Sequence, residues 1–323
     1  MKSALESDQM QSDQTQSSIL LAWVSAMRPR TLPLALSSIG MGTFLAADHG
    51  AINLSIALLC AVTTTLLQIL SNLANDFGDS ENGADSDQRV GPQRAVQSGQ
   101  ISRRAMLVAM AMTGLLAILS GITLLWQALS SASGSIPWST LLLFLLLGAV
   151  AIWAAVKYTA GSNPYGYAGF GDLAVLIFFG WLGVLGTYFL QANTLPFSLF
   201  WPATSCGLLA VAVLNINNIR DIDSDRAAGK YSIPVRLGRP RAVAYHWVLL
   251  IGAMIASFLY SWSLFRAGGS GWTFLFLIVI PLLIYNGLAV WRTPSDRLDP
   301  YLKQMALTSL LFVLTFGIGQ LIG

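Results

Sequence analysis

The sequence predicts an all-α membrane protein with nine transmembrane helices in one bundle and a cytosolic N-terminus. Three observations carry this. First, 54% of the 323 residues are apolar and 10% are charged, against about 25% charged in a soluble domain, and mean hydropathy is +0.63. Second, nine apolar stretches lie near the ~20 residues that span a bilayer: 31–48, 52–75, 104–128, 137–157, 173–191, 198–219, 241–264, 272–291 and 303–322. Third, if the N-terminus is cytosolic and the spans alternate, all 18 Lys and Arg residues except Arg266 fall on the cytosolic side. Missing or inventing one span mid-chain would destroy that asymmetry.

The remaining segments follow in order. Residues 1–18 are rich in Gln, Ser and Asp and lack the apolar core of a signal peptide, so they read as a disordered cytosolic tail. Residues 19–323 then form a single transmembrane domain. Residues 19–27 are apolar, include Trp23 and are too short to span, which predicts an interfacial helix before Arg28-Pro29-Arg30. Cys60 and Cys206 lie in apolar runs and read as small buried hydrophobes, with no disulfide or Cys-based metal site. His49, on the outer side, and His246, inside a span, read as structural. The loop from Tyr158 to Asp172 carries glycines that permit close backbone approach and tyrosines suited to the headgroup level. Both a lid and an ordinary interfacial loop fit it.

Against this apolar background, eight of the fifteen carboxylates gather in two clusters. The first holds Asn72, Asn75, Asp76, Asp79, Glu81, Asp85 and Asp87 after the second span. The second holds Asn217, Asn218, Asp221, Asp223 and Asp225 after the sixth. Both fall on the cytosolic side. Ionisable groups at the edge of hydrocarbon are functional candidates by default. In a helix, Asn72 and Asp76, Asn75 and Asp79, and Asn217, Asp221 and Asp225 each share a face. Such oxygen ladders suit Mg²⁺, which binds through one or two carboxylates together with substrate phosphates. They suit Zn²⁺ poorly, since neither Cys nor His lies near. Arg89, Arg94, Arg220, Arg226, Lys230 and Arg236 flank the acids and Lys157 approaches from the fourth helix, so diphosphate oxygens could be neutralised there. For Arg103, Arg104, Arg239 and Arg241 the positive-inside rule is sufficient explanation. Glu81, Asp87 and Asp223 point off the ladders.

Asn75-Asp76-x-x-Asp79 and Asn217-Asn218-x-Arg220-Asp221-x-x-x-Asp225-x-x-x-Gly229-Lys230, followed by Val235-Arg236-Leu237-Gly238, resemble the intramembrane aromatic prenyltransferases of the UbiA superfamily. The resemblance extends from Arg28 to the C-terminus. It is strongest to the menaquinone branch through Gly83-Ala84-Asp85, Arg89-Val-Gly91-Pro92 and the Gly229-Lys230 ending. The superfamily's last acidic position in the first motif is Gly83 here, with Asp85 two residues on.

The resemblance implies an Mg²⁺-dependent transfer of a polyprenyl (or phytyl) group from its diphosphate to 1,4-dihydroxy-2-naphthoate, with loss of CO2 and diphosphate. Asp76, Asp79, Asp221 and Asp225 would be catalytic metal ligands, joined by Asp85. Asn72, Asn75, Arg89, Arg94, Lys157, Asn217, Asn218, Arg220, Lys230 and Arg236 would hold the diphosphate and substrate. Phe77 and Tyr158 could face a developing cation. The partners would be the two substrates and the lipid bilayer, with no nucleic acid. The enzyme would sit in an inner, plasma or cyanobacterial membrane, its active site facing the cytosol. One competing reading is another acceptor, such as 4-hydroxybenzoate or homogentisate. A second is a cation transporter, which requires ionisable residues near mid-membrane rather than at one end.

Overall fold

The computed structural model describes residues 18–82, 94–131 and 137–323, and among them all regular structure is helical. The helices are α1 (18–27), α2 (Leu32–Asp48), α3 (Leu54–Glu81), α4 (Arg103–Ser131), α5 (Trp138–Lys157), α6 (Gly171–Ala192), α7 (Phe197–Arg220), α8 (Ile222–Ala227), α9 (Ile233–Leu237), α10 (Arg239–Arg266), α11 (Gly271–Arg292) and α12 (Asp299–Leu321). Among the described residues eight of them, α3–α7 and α10–α12, are long and apolar enough to cross a membrane. The first expected span coincides with α2, whose 17 residues reach about 25 Å.

Local chemistry sets several boundaries. The Asn53 side chain accepts hydrogen bonds from the backbone N–H groups of Ser55 and Ile56 and caps α3. Prolines occupy the first turns of α2, α9, α10 and α12, where the missing N–H costs nothing.

One half of the bundle is closely packed. There α7 is the most enclosed of the eight helices and lies against α2, α6, α10 and α12. Its buried face includes the small residues Ala203, Ser205, Gly207, Ala210 and Ala212, which let backbones approach. A Cβ on Gly207 would lie 2.6 Å from Leu176 Cδ1 and 3.0 Å from the Gly180 Cα, so α6 and α7 meet almost backbone to backbone. Nearby, Phe276 packs against Phe312 and Phe316 at ring separations of 5.9 and 5.7 Å. The other half, α3 to α5, is looser, and only Ala154 of α5 is fully buried.

The structure departs from the expectations in four places. First, α3 continues well past residue 75 to Glu81, so the first acidic ladder is helical as far as Asp79. Second, α7 stops at Arg220. Asp221 (φ −99°, ψ 14°) is a joint and α8 begins beyond it, so Asn217, Asp221 and Asp225 do not form one continuous ladder. Third, α1 does more than rest on a surface: Ala22 and Ala26 are buried in a cluster with Leu70 and Leu73 of α3 and Met106 of α4. Fourth, residues Leu176–Leu185 of α6 form a wide-turned π stretch, which sequence periodicity does not reveal.

Replacing Gly207 with Leu is expected to force α6 from α7 and lower stability by roughly 1–3 kcal/mol. A lowered thermal-unfolding midpoint in detergent checks this.

Candidate active site

A cavity of about 780 Å³ separates the two halves of the bundle. Its polar end gathers Asn75, Asp79, Arg94, Asn218, Asp225 and Lys230 from the ends of α3, α7 and α8 and the segments after them. Much of its remainder is lined by apolar side chains of α3 to α6, including Leu67, Ile118, Leu125, Phe144, Ile152 and Phe179, with Arg28, Thr31 and Gln68 also in the lining.

Asp79 is 4% exposed. Its Oδ1 accepts a hydrogen bond from the Tyr167 hydroxyl (3.0 Å) and its Oδ2 pairs with Arg94 Nη2 (3.1 Å). Asp225, equally buried, pairs through Oδ1 with Lys230 Nζ (3.2 Å). Burial pushes the Asp225 carboxyl up to about 6 despite Lys230, and the surrounding acids hold the Lys230 ammonium above its ordinary value despite its own burial. The charges that act on Lys230 are Asp225, Asp79, Tyr158 and Asp221, which places the two acidic motifs in one electrostatic cluster. Tyr158 lines the cavity with its hydroxyl raised to about 12, chiefly by burial.

Several expected site residues have other tasks. Asp76 lies outside the cavity lining. Its two carboxylate oxygens accept the backbone N–H groups of Ala95 and Val96, each at 3.1 Å, and so hold the turn that presents Arg94. Asn72 is also outside the lining and clamps the α1–α2 connection, donating to Met27 O (2.8 Å) and Thr31 Oγ1 (3.0 Å). Asn75 does line the cavity and accepts a hydrogen bond from Thr159 Oγ1 at 3.0 Å. Arg220 is 4% exposed and fully engaged: it donates to both oxygens of Asp221, to Asn217 Oδ1 and to Asp299, which also pairs with Arg30. Arg220 is therefore a brace between α7 and α12, although Asn217 and Asp221 themselves line the cavity.

Arg236 straps the tyrosine loop down, donating to Tyr231 O (2.9 Å) and Ala168 O (2.7 Å), and it too lies outside the lining. Lys157 lies outside it as well, with its Nζ against Gly161. Asp223 is exposed beside Arg226 and Glu81 pairs with Arg103, both off the site. The Arg103 guanidinium stands over the Phe77 ring at 5.8 Å, and Phe77 is not part of the lining. Asp85, Asp87 and Arg89 fall outside the described residues.

Sequence reasoning missed Tyr167, Thr159, Asp299, Arg28 and Arg30. Each meets the site from a distant segment; the Arg28-Pro29-Arg30 run and the glycine- and tyrosine-rich loop that holds Thr159 and Tyr167 carried a local signal, and Asp299 carried none.

Among the described residues, no three acidic or histidine side chains converge to hold an ion by themselves. Two buried oxygens nevertheless stand without a hydrogen bond at the polar end, Asn218 Oδ1 and Asp225 Oδ2. With Asp79 and Asp221 they make an oxygen-only donor set. That set suits a hard divalent cation whose remaining positions are filled by water and phosphate.

The UbiA prenyltransferase family profile matches residues 35–311. The chain belongs to the UbiA prenyltransferase family. It is 45% identical over 304 residues to a 1,4-dihydroxy-2-naphthoate octaprenyltransferase of Escherichia coli, covering 93% of this chain and 96% of the relative. A Haemophilus influenzae protein of the same name is 42% identical over 309 residues, covering 94% and 97%. The fold matches that of a UbiA homologue from Aeropyrum pernix K1 at a TM-score of 0.62 and 17% identity, over 91% of this chain and 97% of that one. It also matches a UbiA homologue from Archaeoglobus fulgidus bound to DMAPP and Mg2+ at a TM-score of 0.58 and 16% identity, over 93% and 99%. The membrane-embedded character read from composition follows for this UbiA-family chain from its helices and its family together.

Asp76→Asn leaves one oxygen for two backbone donors and is expected to cost about 1–3 kcal/mol. A lowered unfolding midpoint and faster proteolysis near residues 94–98 check this.

Proposed function

We propose that this chain transfers a polyprenyl (or phytyl) group from its diphosphate to 1,4-dihydroxy-2-naphthoate, releasing CO2 and diphosphate and forming demethylmenaquinone (or demethylphylloquinol). The observation that carries this reading is one cavity with two ends: a buried acid–base cluster continuous with a long apolar lining. That is the shape of an amphiphile with a diphosphate head and a hydrocarbon tail. The naphthoate acceptor is supported by the names of the relatives at 45% and 42% identity. It is further supported by the octaprenyltransferase of Mycobacterium tuberculosis at 39%.

In this reading α2 is the first of nine spans and the N-terminus is cytosolic. The acids then open to the cytosol, from which both the diphosphate and the aromatic acid arrive. The host membrane is an inner, plasma or cyanobacterial one.

Asp79, Asp221, Asp225 and Asn218 would hold Mg²⁺ against the diphosphate, with Asp85 as the further acid of the motif, while Asp76 supports them by holding the turn that presents Arg94. Bound there, Mg²⁺ offsets the negative charge that grows on the leaving diphosphate. Arg94 and Lys230, which pair with Asp79 and Asp225, would be the cations placed to donate to the phosphate oxygens. The allylic C–O bond breaks with its electron pair going to diphosphate. The hydroxylated ring forms the new C–C bond, and the pair from the departing carboxylate returns to the ring as CO2 leaves. Tyr158 and the apolar lining exclude water from the allylic centre. The tail lies among α3 to α6, beside the loosely packed α5.

Purified protein in nanodiscs with Mg²⁺, octaprenyl diphosphate and 1,4-dihydroxy-2-naphthoate is expected to yield a product with the mass of the demethylmenaquinone. 4-Hydroxybenzoate is expected to go unconverted. Asp225→Asn is expected to lower turnover roughly 100-fold with the unfolding midpoint retained. Conversion of 4-hydroxybenzoate but not the naphthoate would overturn the acceptor assignment.

A further inference from the structure

We infer that Arg28 anchors the carboxylate of the aromatic acceptor, and that Asn72 is the positioning residue that fixes it there. The inference rests on the naphthoate reading above. Among the described residues only Arg28 and Asn193 have positive φ without being glycine. Asn tolerates the left-handed region through its short polar side chain, whereas Arg has no such excuse. Arg28 sits at φ 50°, ψ 64°, between the end of α1 and Pro29. Backbone held in this region persists only where the surroundings over-determine it, and such residues cluster at ligand sites.

The surroundings here are specific. Asn72 Nδ2 donates to Met27 O on one side of Arg28 and to Thr31 Oγ1 on the other, while Thr31 Oγ1 donates to Arg28 O (2.9 Å). Asn72 Oδ1 is oriented by Gln68 Nε2 at 3.1 Å. Asn72 is 2% exposed, and its whole amide serves this clamp. What the clamp presents is the Arg28 side chain, which lines the main cavity with Thr31, Gln68 and Ser71.

The point of attachment on α3 separates this cation from those that serve the diphosphate. Arg94 and Lys230 pair with Asp79 and Asp225 at the cytosolic end. The Arg28 turn is tied to α3 at Asn72, seven residues before Asp79, which at 1.5 Å per residue is about 10 Å along the helix from Asp79 toward the apolar stretch of α3. A prenyl diphosphate seated on the acids puts its allylic carbon on the tail side of the phosphates. The acceptor ring must reach that level to react. A guanidinium there meets the carboxylate of an aromatic acid in bidentate fashion.

The Arg28→Gly variant tests this, because glycine suits the left-handed backbone and removes only the side chain. The expected result is an unfolding midpoint equal to or above that of the parent chain. The KM for 1,4-dihydroxy-2-naphthoate should rise at least ten-fold while the KM for octaprenyl diphosphate changes less than two-fold. Arg28→Lys should give a naphthoate KM between the two. An unchanged naphthoate KM in Arg28→Gly, or a rise in the donor KM instead, overturns the inference. Failure of the parent chain itself to convert the naphthoate would overturn the proposed function, a separately readable result.

Discussion

Carboxylates buried at the ends of membrane helices persist only while each faces a cation or a set of donors, and that requirement arranges the whole polar end of this protein. Asp79 has Arg94 and Tyr167. Asp225 has Lys230. Asp221 has Arg220, which shares Asp299 with Arg30. Asp76 accepts two backbone N–H groups. These partners come from α7, α12, the turn before α2 and three loops, so neutralising the acids also ties the ends of the bundle together. The two partnerless oxygens, Asn218 Oδ1 and Asp225 Oδ2, stand where a cation and diphosphate would complete the balance. Removing one partner from such a pair leaves an uncompensated charge and costs more than the pair itself contributes.

The division into a tight and a loose half has the same logic. Where α7 meets α6 at Gly207 and Gly180, small residues bring the two backbones into contact. Across the cavity α5 has a single fully buried residue, and its walls are apolar. The closely packed half carries Asp221 and Asp225 at the end of α7 and in α8, Asp79 faces them from the end of α3, and the apolar walls lie beside α5. Hydrogen bonding to the loop comes through Arg236 and Asn82, the latter donating to Thr159 O at 2.8 Å.

Much of this is legible in the chain itself, because membrane helices must be apolar and their cytosolic ends basic. The positions of eight spanning helices and the meeting of Asp79 with Asp225 follow from that pattern and from the helical spacing of the acids. What is not legible depends on distant partners. Nothing near Asp76 tells that the turn at 95–96 will claim its carboxylate. Nothing near Arg220 tells that Asp299, far along the chain, will lock it into a brace. The break at Asp221 is equally hidden, since a helix running on through Asp225 satisfies the same spacing rule. Asn72 reads as a ligand on its face of α3, yet its neighbours Met27 and Thr31 turn it into a clamp.

The central claim is that Asp225, with Asp79 and Asp221, shares a divalent cation with the donor's diphosphate. Pulsed EPR on Mn²⁺ substituted for Mg²⁺, with an unreactive thiolodiphosphate analogue of the donor, tests it most directly. The account predicts a ³¹P coupling to the bound Mn²⁺ in the parent protein and its loss or marked weakening in Asp225→Asn. An identical coupling in the two proteins would contradict it.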